Sequence, residues 1–124
     1  MSIINIRKQT EREVLSDCKH YLTILQNQRK LLFKRTSTTG VPMKFGNVVK
    51  LRRNEDMEGM ADIMVFFNMR GFPMTIHIEL KSTDGKLTEK QIKWRDELTA
   101  FGHKYHECRS LNELMSVLRS YGIY

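Results

Sequence analysis

Three things are scarce in this 124-residue chain. Cysteine is the first: only Cys18 and Cys108 occur, far apart and without paired spacing. A disulfide framework is therefore excluded, and two reduced, buried thiols are expected. Apolar runs are also short. None approaches the roughly 20 residues that span a bilayer, and Ile3-Ile4-Asn5-Ile6 is too brief for a secretory core. A soluble, cytoplasmic protein is the expectation. Acidic charge is the third shortage, with 14 Asp and Glu against 21 Lys and Arg, a formal charge of +7 and a pI near 9.6. That excess favours polyanionic partners, nucleic acid ahead of anionic membrane, although many basic domains bind neither. Also missing are repeats, low-complexity tracts, linkers, a Gly-rich phosphate loop, a nucleophile elbow and a helix-turn-helix or zinc-finger pattern.

What is present suffices for one core. Hydrophobic residues make up 40% of the chain, which argues against disorder and for a single domain over 1–124. Thr10 caps an expected helix from Glu11 to about Asn27, with Val14, Leu15, Cys18, Leu22 and Leu25 on its apolar stripe. Short strands are expected from Leu31 and over Val48–Leu51, separated by a Ser/Thr/Gly/Pro-rich loop, Thr36–Gly46. Thr88 and Gln91 form a capping-box pattern opening a helix that ends near Phe101, where Gly102 suits C′ and Trp94, Leu98 and Phe101 point inward. A strand at about Tyr105–Cys108 precedes a second capping box, Ser110 with Glu113. The last helix turns Leu114, Val117, Leu118 and Tyr121 inward. The expected architecture is one α/β layer structure around a mixed sheet.

The most informative segment is Gly59-Met60-Ala61-Asp62, followed by Glu79-Leu80-Lys81. The midpoint of 62 and 79 falls between Arg70 and Gly71, at a turn between two strand-like runs, Ala61–Phe67 and Met74–Lys81. Folded antiparallel about that turn, Asp62 lies opposite Glu79, with Cβ atoms roughly 5 Å apart. Period-two alternation turns Glu79 and Lys81 the same way. The polar set Thr75, His77, Glu79 and Lys81 alternates with Ile76, Ile78 and Leu80, as in a half-buried strand. Two carboxylates on neighbouring strands can anchor a hard divalent cation, which takes oxygen ligands at about 2.0–2.1 Å and keeps several waters. An ion held there can activate water and polarise a phosphodiester. Lys81 can orient or deprotonate that water, or neutralise transition-state charge; the spacing does not choose. Alone, Glu-x-Lys is as well explained by a solvated ion pair. Its conjunction with Gly-x-x-Asp, the hairpin symmetry and the basic balance gives it weight.

Glu11, on the inward stripe of the first helix, is the favoured third carboxylate; the macrodipole also explains an acid there. Glu13, about 200° around, faces solvent. Glu55, Asp56 and Glu58 read as a solvated acidic loop. Gln91 lies inward and needs a partner, a metal-bound water or a carboxylate, but its capping role accounts for it as well. Basic clusters can contact phosphates: Arg35 with Arg29, Lys30 and Lys34; Lys50 and Arg52 with Arg53; Lys86, Lys90 and Lys93 with Arg95. Ordinary solvated faces are the competing explanation. His103-x-x-His106 lacks accompanying ligands for zinc. His77 shares the face of Glu79, and a hydrogen-bonded structural role is expected for it.

Taken in order, Gly59-Met60-Ala61-Asp62, Ile78-Glu79-Leu80-Lys81-Ser82 and Gly85-Lys86-Leu87-Thr88-Glu89-Lys90-Gln91 resemble the VRR-NUC family, the virus-type branch of the PD-(D/E)XK nucleases. Thr10-Glu11, Trp94, Phe101-Gly102 and Arg109-Ser110 extend the likeness over nearly the whole chain. Asp62 lacks the preceding proline of the superfamily name, as is usual in this branch. The resemblance implies a restriction-endonuclease-like core in the order α-β-β-β-α-β-α, its mixed central sheet flanked by helices. It implies Asp62, Glu79 and Glu11 as ligands for Mg2+ or Mn2+, with Lys81, Gln91 and Glu11 catalytic. Stand-alone members of this length resemble phage proteins, which places this one in the host cytoplasm. They act as homodimers on branched DNA, including four-way (Holliday) junctions. The rival expectations are a non-catalytic DNA-binding accessory module, a nuclease of the same fold with linear-duplex or exonuclease specificity, and, more weakly, an RNA substrate.

Overall fold

The computed structural model describes residues 7–36, 41–52 and 57–124; within 41–52, side chains are described only at 44 and 46–49. The elements run α1 (Glu11–Asn27), β1 (Leu32–Arg35), β2 (Val41–Phe45), β3 (Val48–Arg52), β4 (Ile63–Met69), β5 (Phe72–Leu80), α2 (Glu89–Ala100), β6 (Lys104–Cys108) and α3 (Leu111–Ser120). Four strands form a mixed sheet in the order β1-β4-β5-β6, with β6 parallel to β5 and the other pairs antiparallel. Strands β2 and β3 pair only with each other. Without that ribbon the order is α-β-β-β-α-β-α, the restriction-endonuclease-like core.

All three helices begin at side-chain caps. Thr10, Thr88 and Ser110 accept the N–H groups of Glu13, Gln91 and Glu113, satisfying donors that a helix start leaves unpaired. One face of the sheet carries Ile63, Val65, Ile76, Ile78 and Leu80. It packs on Val14, Cys18 and Leu22 of α1 and on Leu114 and Leu118 of α3, all buried. Both cysteines lie in this core as free thiols, and burial pushes each thiol's pKa up to about 12. Helix α2 covers the opposite face.

Three expectations change. The Thr36–Gly46 segment is not all loop, because Val41–Phe45 is strand β2, paired with β3 across Gly46-Asn47. Gly-Asn between two strand-like runs is itself a hairpin signal; Pro42 and the short runs masked it. Phe101 is not inward. It occupies the C-cap of α2, where the chain leaves the helix, and is 87% exposed. Nor is β5 half-buried: His77, Glu79 and Lys81 are buried like their apolar neighbours, because α2 covers their face.

The β4–β5 hairpin sets the register of everything nearby. Its two-residue turn, Arg70-Gly71, has φ of 53° and 89°, the left-handed pair that matches strand twist. Asn68 Oδ1 accepts the Gly71 N–H at 2.8 Å. Ile63 then pairs with Ile78, so the next rung outward sets Asp62 against Glu79. A Cβ on Gly71 meets nothing within 4 Å, leaving backbone strain as the only penalty for a side chain. Gly71→Val is expected to cost about 1–2 kcal/mol. Calorimetry should show this as a fall in Tm of roughly 3–8 °C.

Candidate active site

Asp62 enters the site from just ahead of β4, held by its backbone and side chain. Its carbonyl accepts the Thr36 N–H at 2.8 Å, and the Thr36 hydroxyl donates to the Ala61 carbonyl. Its carboxylate reaches across the hairpin, where Oδ2 accepts the Leu80 N–H at 2.8 Å. Glu79 and Lys81 follow at the end of β5, 1% and 8% exposed. The Lys81 N–H donates to the Cys108 carbonyl at 3.0 Å, and Lys81 Nζ stands 3.7 Å from Glu79 Oε1.

Gln91 does both of the jobs that its position allows. Its Oε1 accepts the Thr88 N–H at 2.9 Å, completing the capping box, and its Nε2 donates to Glu79 Oε1 at 2.8 Å. A backbone N–H can only donate, so the amide oxygen must face Thr88. The amide NH2 is thereby aimed at Glu79.

Glu11 projects from the first turn of α1. Its carboxylate, with those of Asp62 and Glu79, forms a cluster whose ligand atoms all lie within 4.8 Å of one another. Against expectation Glu11 is exposed and Glu13 is half-buried; Glu13 pairs with Arg7 and receives the Thr10 hydroxyl. A cavity of about 320 Å³ opens over the cluster, lined by Glu11, Glu58, Asp62, Lys81, Lys90 and Gln91. A larger cavity, about 800 Å³, lies at the far end of α1 beside Lys30, Leu32 and Phe66. Among the described residues no carboxylate side chain lines it.

Burial pushes the Glu79 carboxyl up to about 8, with the nearby charge of Asp62 adding to the effect. Burial also raises Asp62; the Leu80 N–H and the charges of Lys81 and Arg35 act against it. Glu79 Oε2 is buried with no hydrogen-bond donor among the described residues. Two carboxylates this close in a shielded site need a proton or a cation between them. Ligands on opposite sides of an ion with bonds near 2.1 Å stand roughly 4.2 Å apart, close to the span of the cluster. Three hard oxygen donors, one without a donor of its own, therefore fit a divalent cation.

Of the basic candidates, Lys90 pairs with Glu58 at the cleft rim. Arg35, Lys86 and Lys93 are exposed, and Arg35 lies close enough to act on Asp62. The side chains of Lys50 and Arg52, and residues Arg53, Glu55 and Asp56, lie outside the described residues. His77 departs from expectation: it is buried, but its Nδ1 has no partner among the described residues, and its ring meets His103 edge-on. His106 Nε2 lies 2.6 Å from the Tyr121 hydroxyl. Tyr105 went unnoticed in the sequence. It sits on the rung beside His77, and its hydroxyl is likewise buried and unpartnered among the described residues. Only the parallel β5–β6 pairing brings it there, and no local spacing signals that pairing.

The VRR-NUC domain family matches residues 7–112. The chain belongs to the VRR-NUC family. No curated protein and no solved structure gave a match. Membership makes it a nuclease domain of the PD-(D/E)XK type, a class that acts on DNA and typically uses divalent metals. No helix among the described residues is long and apolar enough to cross a membrane.

Gly59, in the loop before Asp62, has a steric reason to be there. Gly59 has φ of 79°, and a Cβ on it would lie 2.5 Å from the Lys90 carbonyl oxygen and 3.2 Å from the Gln91 nitrogen. The loop before Asp62 and the first turn of α2 thus touch backbone to backbone. Gly59→Ala is expected to push α2 outward, lengthen the Gln91–Glu79 contact and lower Tm by several degrees. Cleavage should fall at least 10-fold, and amide exchange should quicken in the first turn of α2.

Glu79 also gives the metal-free fold a pH dependence. Its proton is held more tightly in the fold, to about 8, than at the ordinary 4.5. The stability it contributes is complete below about 4.5 and is lost as pH rises through about 8. Metal-free wild type should therefore lose Tm between about pH 4.5 and 8, and Glu79→Gln should lose distinctly less. Added magnesium should restore wild type at pH 8 but not the variant.

Proposed function

We propose that the chain is a magnesium- or manganese-dependent endonuclease, with Asp62, Glu79 and Glu11 as ligands and Lys81 and Gln91 as its other catalytic groups. The observation that carries this is the cluster of Glu11, Asp62 and Glu79 carboxylates, whose ligand atoms lie within 4.8 Å of one another, with Glu79 Oε2 buried and without a hydrogen-bond donor among the described residues. The hydrogen bond from Gln91 and the nearby ammonium of Lys81 occupy the other oxygen, Oε1. Oε2 is therefore left for an ion, and the carboxylate cannot turn away from it.

A bound ion would supply Lewis acidity and a water of lowered pKa. The protein supplies the rest. Asp62, which lines the cleft, is fixed by the Leu80 N–H. Gln91 holds Glu79 in one rotamer. Lys81, with little exposure and an anionic neighbour, is suited to orient the attacking water and to offset negative charge growing on the phosphoryl oxygens. Glu11 closes the site from the helix side. Arg35, Lys86 and Lys93 stand ready for flanking phosphates, and Lys90 reaches them on leaving Glu58. Lys50 and Arg52 add sequence charge to that set.

The proposed substrate is structured or branched DNA, the four-way junction foremost, cut by a homodimer. The support is the resemblance to stand-alone family members, together with the need of a two-fold junction for two related sites. Lys81→Ala is expected to stay folded and to lose at least 100-fold in metal-dependent cleavage. Labelled linear, flapped and four-way DNAs with magnesium or manganese provide the assay. Full cleavage by a folded Lys81→Ala protein would refute the role. Junction binding by wild type with no nicking in any divalent metal would favour the accessory-module reading.

A further inference from the structure

The β2–β3 ribbon is a separate device from the sheet. Among the described residues, neither of its strands packs on any other helix or strand. It leaves the body after Thr36, whose N–H is bonded to the Asp62 carbonyl. The chain returns through Met57, Glu58 and Gly59, which line the active-site cleft. Both ends of the ribbon segment are thus anchored beside the carboxylate cluster.

Its composition is one-sided. The rungs are Val41 with Arg52, Pro42 with Leu51, Met43 with Lys50, Lys44 with Val49, and Phe45 with Val48. Three of the five carry a cation and none carries an acid. At its tip Val48 and Val49 are 52% and 65% exposed, and Lys44, Gly46 and Asn47 are exposed too. A free two-stranded ribbon has little stability of its own. A cationic one with exposed valines has no partner within the described chain.

We infer that this ribbon is a duplex-gripping arm, which lies in the major groove of the DNA next to the cleavage site and sets which arms of a substrate the enzyme holds. Five residues per strand make it roughly 17 Å long, with strands about 4.8 Å apart. The major groove, about 12 Å wide, admits a two-stranded ribbon in undistorted DNA, whereas the minor groove, about 6 Å wide, takes one only when the duplex is deformed. Lys44, Lys50 and Arg52 supply charge for phosphates on the groove walls, and whichever of Val48 and Val49 faces the DNA suits thymine methyls on its floor, since consecutive strand residues face opposite ways. The inference rests on DNA being the substrate, and it adds a binding element distinct from the metal cluster.

The test compares charge-matched pairs. Lys44→Glu/Lys50→Glu reverses the ribbon. Lys19→Glu/Arg119→Glu reverses two exposed cations on α1 and α3, the helices across the sheet from α2. Binding to a labelled 30-base-pair duplex and to a single strand of equal length is measured by anisotropy in EDTA. The ribbon pair should weaken duplex binding at least 10-fold, lower the salt slope by about 2, and leave Tm within a few degrees of wild type. The body pair should weaken it less than 3-fold. Equal losses for both pairs, no loss for the ribbon pair, or a loss confined to the single strand would overturn the inference. So would a ribbon pair that loses only its binding to phosphatidylserine vesicles. No cleavage is involved, so a chain that grips duplexes through the ribbon but never cuts them would refute the nuclease reading alone.

Discussion

The fold is organised around one unfavourable fact: a carboxylate, Glu79, is buried on a central strand with another carboxylate beside it. Burying one charge is expensive unless something compensates, and two of the same sign are worse. Every neighbouring element addresses that problem. Helix α2 brings the Gln91 amide, Lys81 brings an ammonium, and the Leu80 N–H holds Asp62. What remains without a partner among the described residues is one oxygen, Glu79 Oε2, on a carboxylate that clusters with two other acids. A protein gains nothing in stability from keeping such a group. Its persistence marks a place where folding yields to chemistry.

Much of this was legible in the chain because it depends on local spacing. The turn at Arg70-Gly71 and equal strand lengths were enough to set Asp62 against Glu79, and the capping box marked the start of α2 correctly. Helical periodicity put Glu11 inward and Glu13 in solvent, whereas Glu11 is exposed and Glu13 half-buried; Glu11 meets the cluster because it sits at the helix start, where the chain passes the site. What stayed hidden came from contacts between distant segments. Alternation along β5 suggested a wet polar face. Nothing within the strand reveals that α2 lies over it. The role of Gln91 looked like a choice between cap and site, whereas one amide with two ends serves both. The place of Tyr105 beside His77 depends on the parallel partner strand, which short-range patterns do not encode. Phe101 was misplaced because helical periodicity was carried one residue past the point where the helix ends.

Charge is distributed with similar economy. The net excess of +7 belongs to the surface, while the acids that matter converge at one end of the sheet. A polyanion drawn to the cationic exterior meets the anionic cluster only if a cation screens it. On the proposed reading, metal loading and substrate engagement are coupled through the same electrostatics. The Glu58–Lys90 pair on the rim stands where the two fields meet.

The ribbon interrupts the core between β1 and β4, strands that are already neighbours in the sheet. Its two roots lie close together, so the sheet does not depend on the length or identity of what joins them. Such a position behaves as a socket. Selection, or an engineer, can exchange the attachment for another without touching the catalytic core, and nucleases sharing one hydrolytic centre can diverge in which DNA they select.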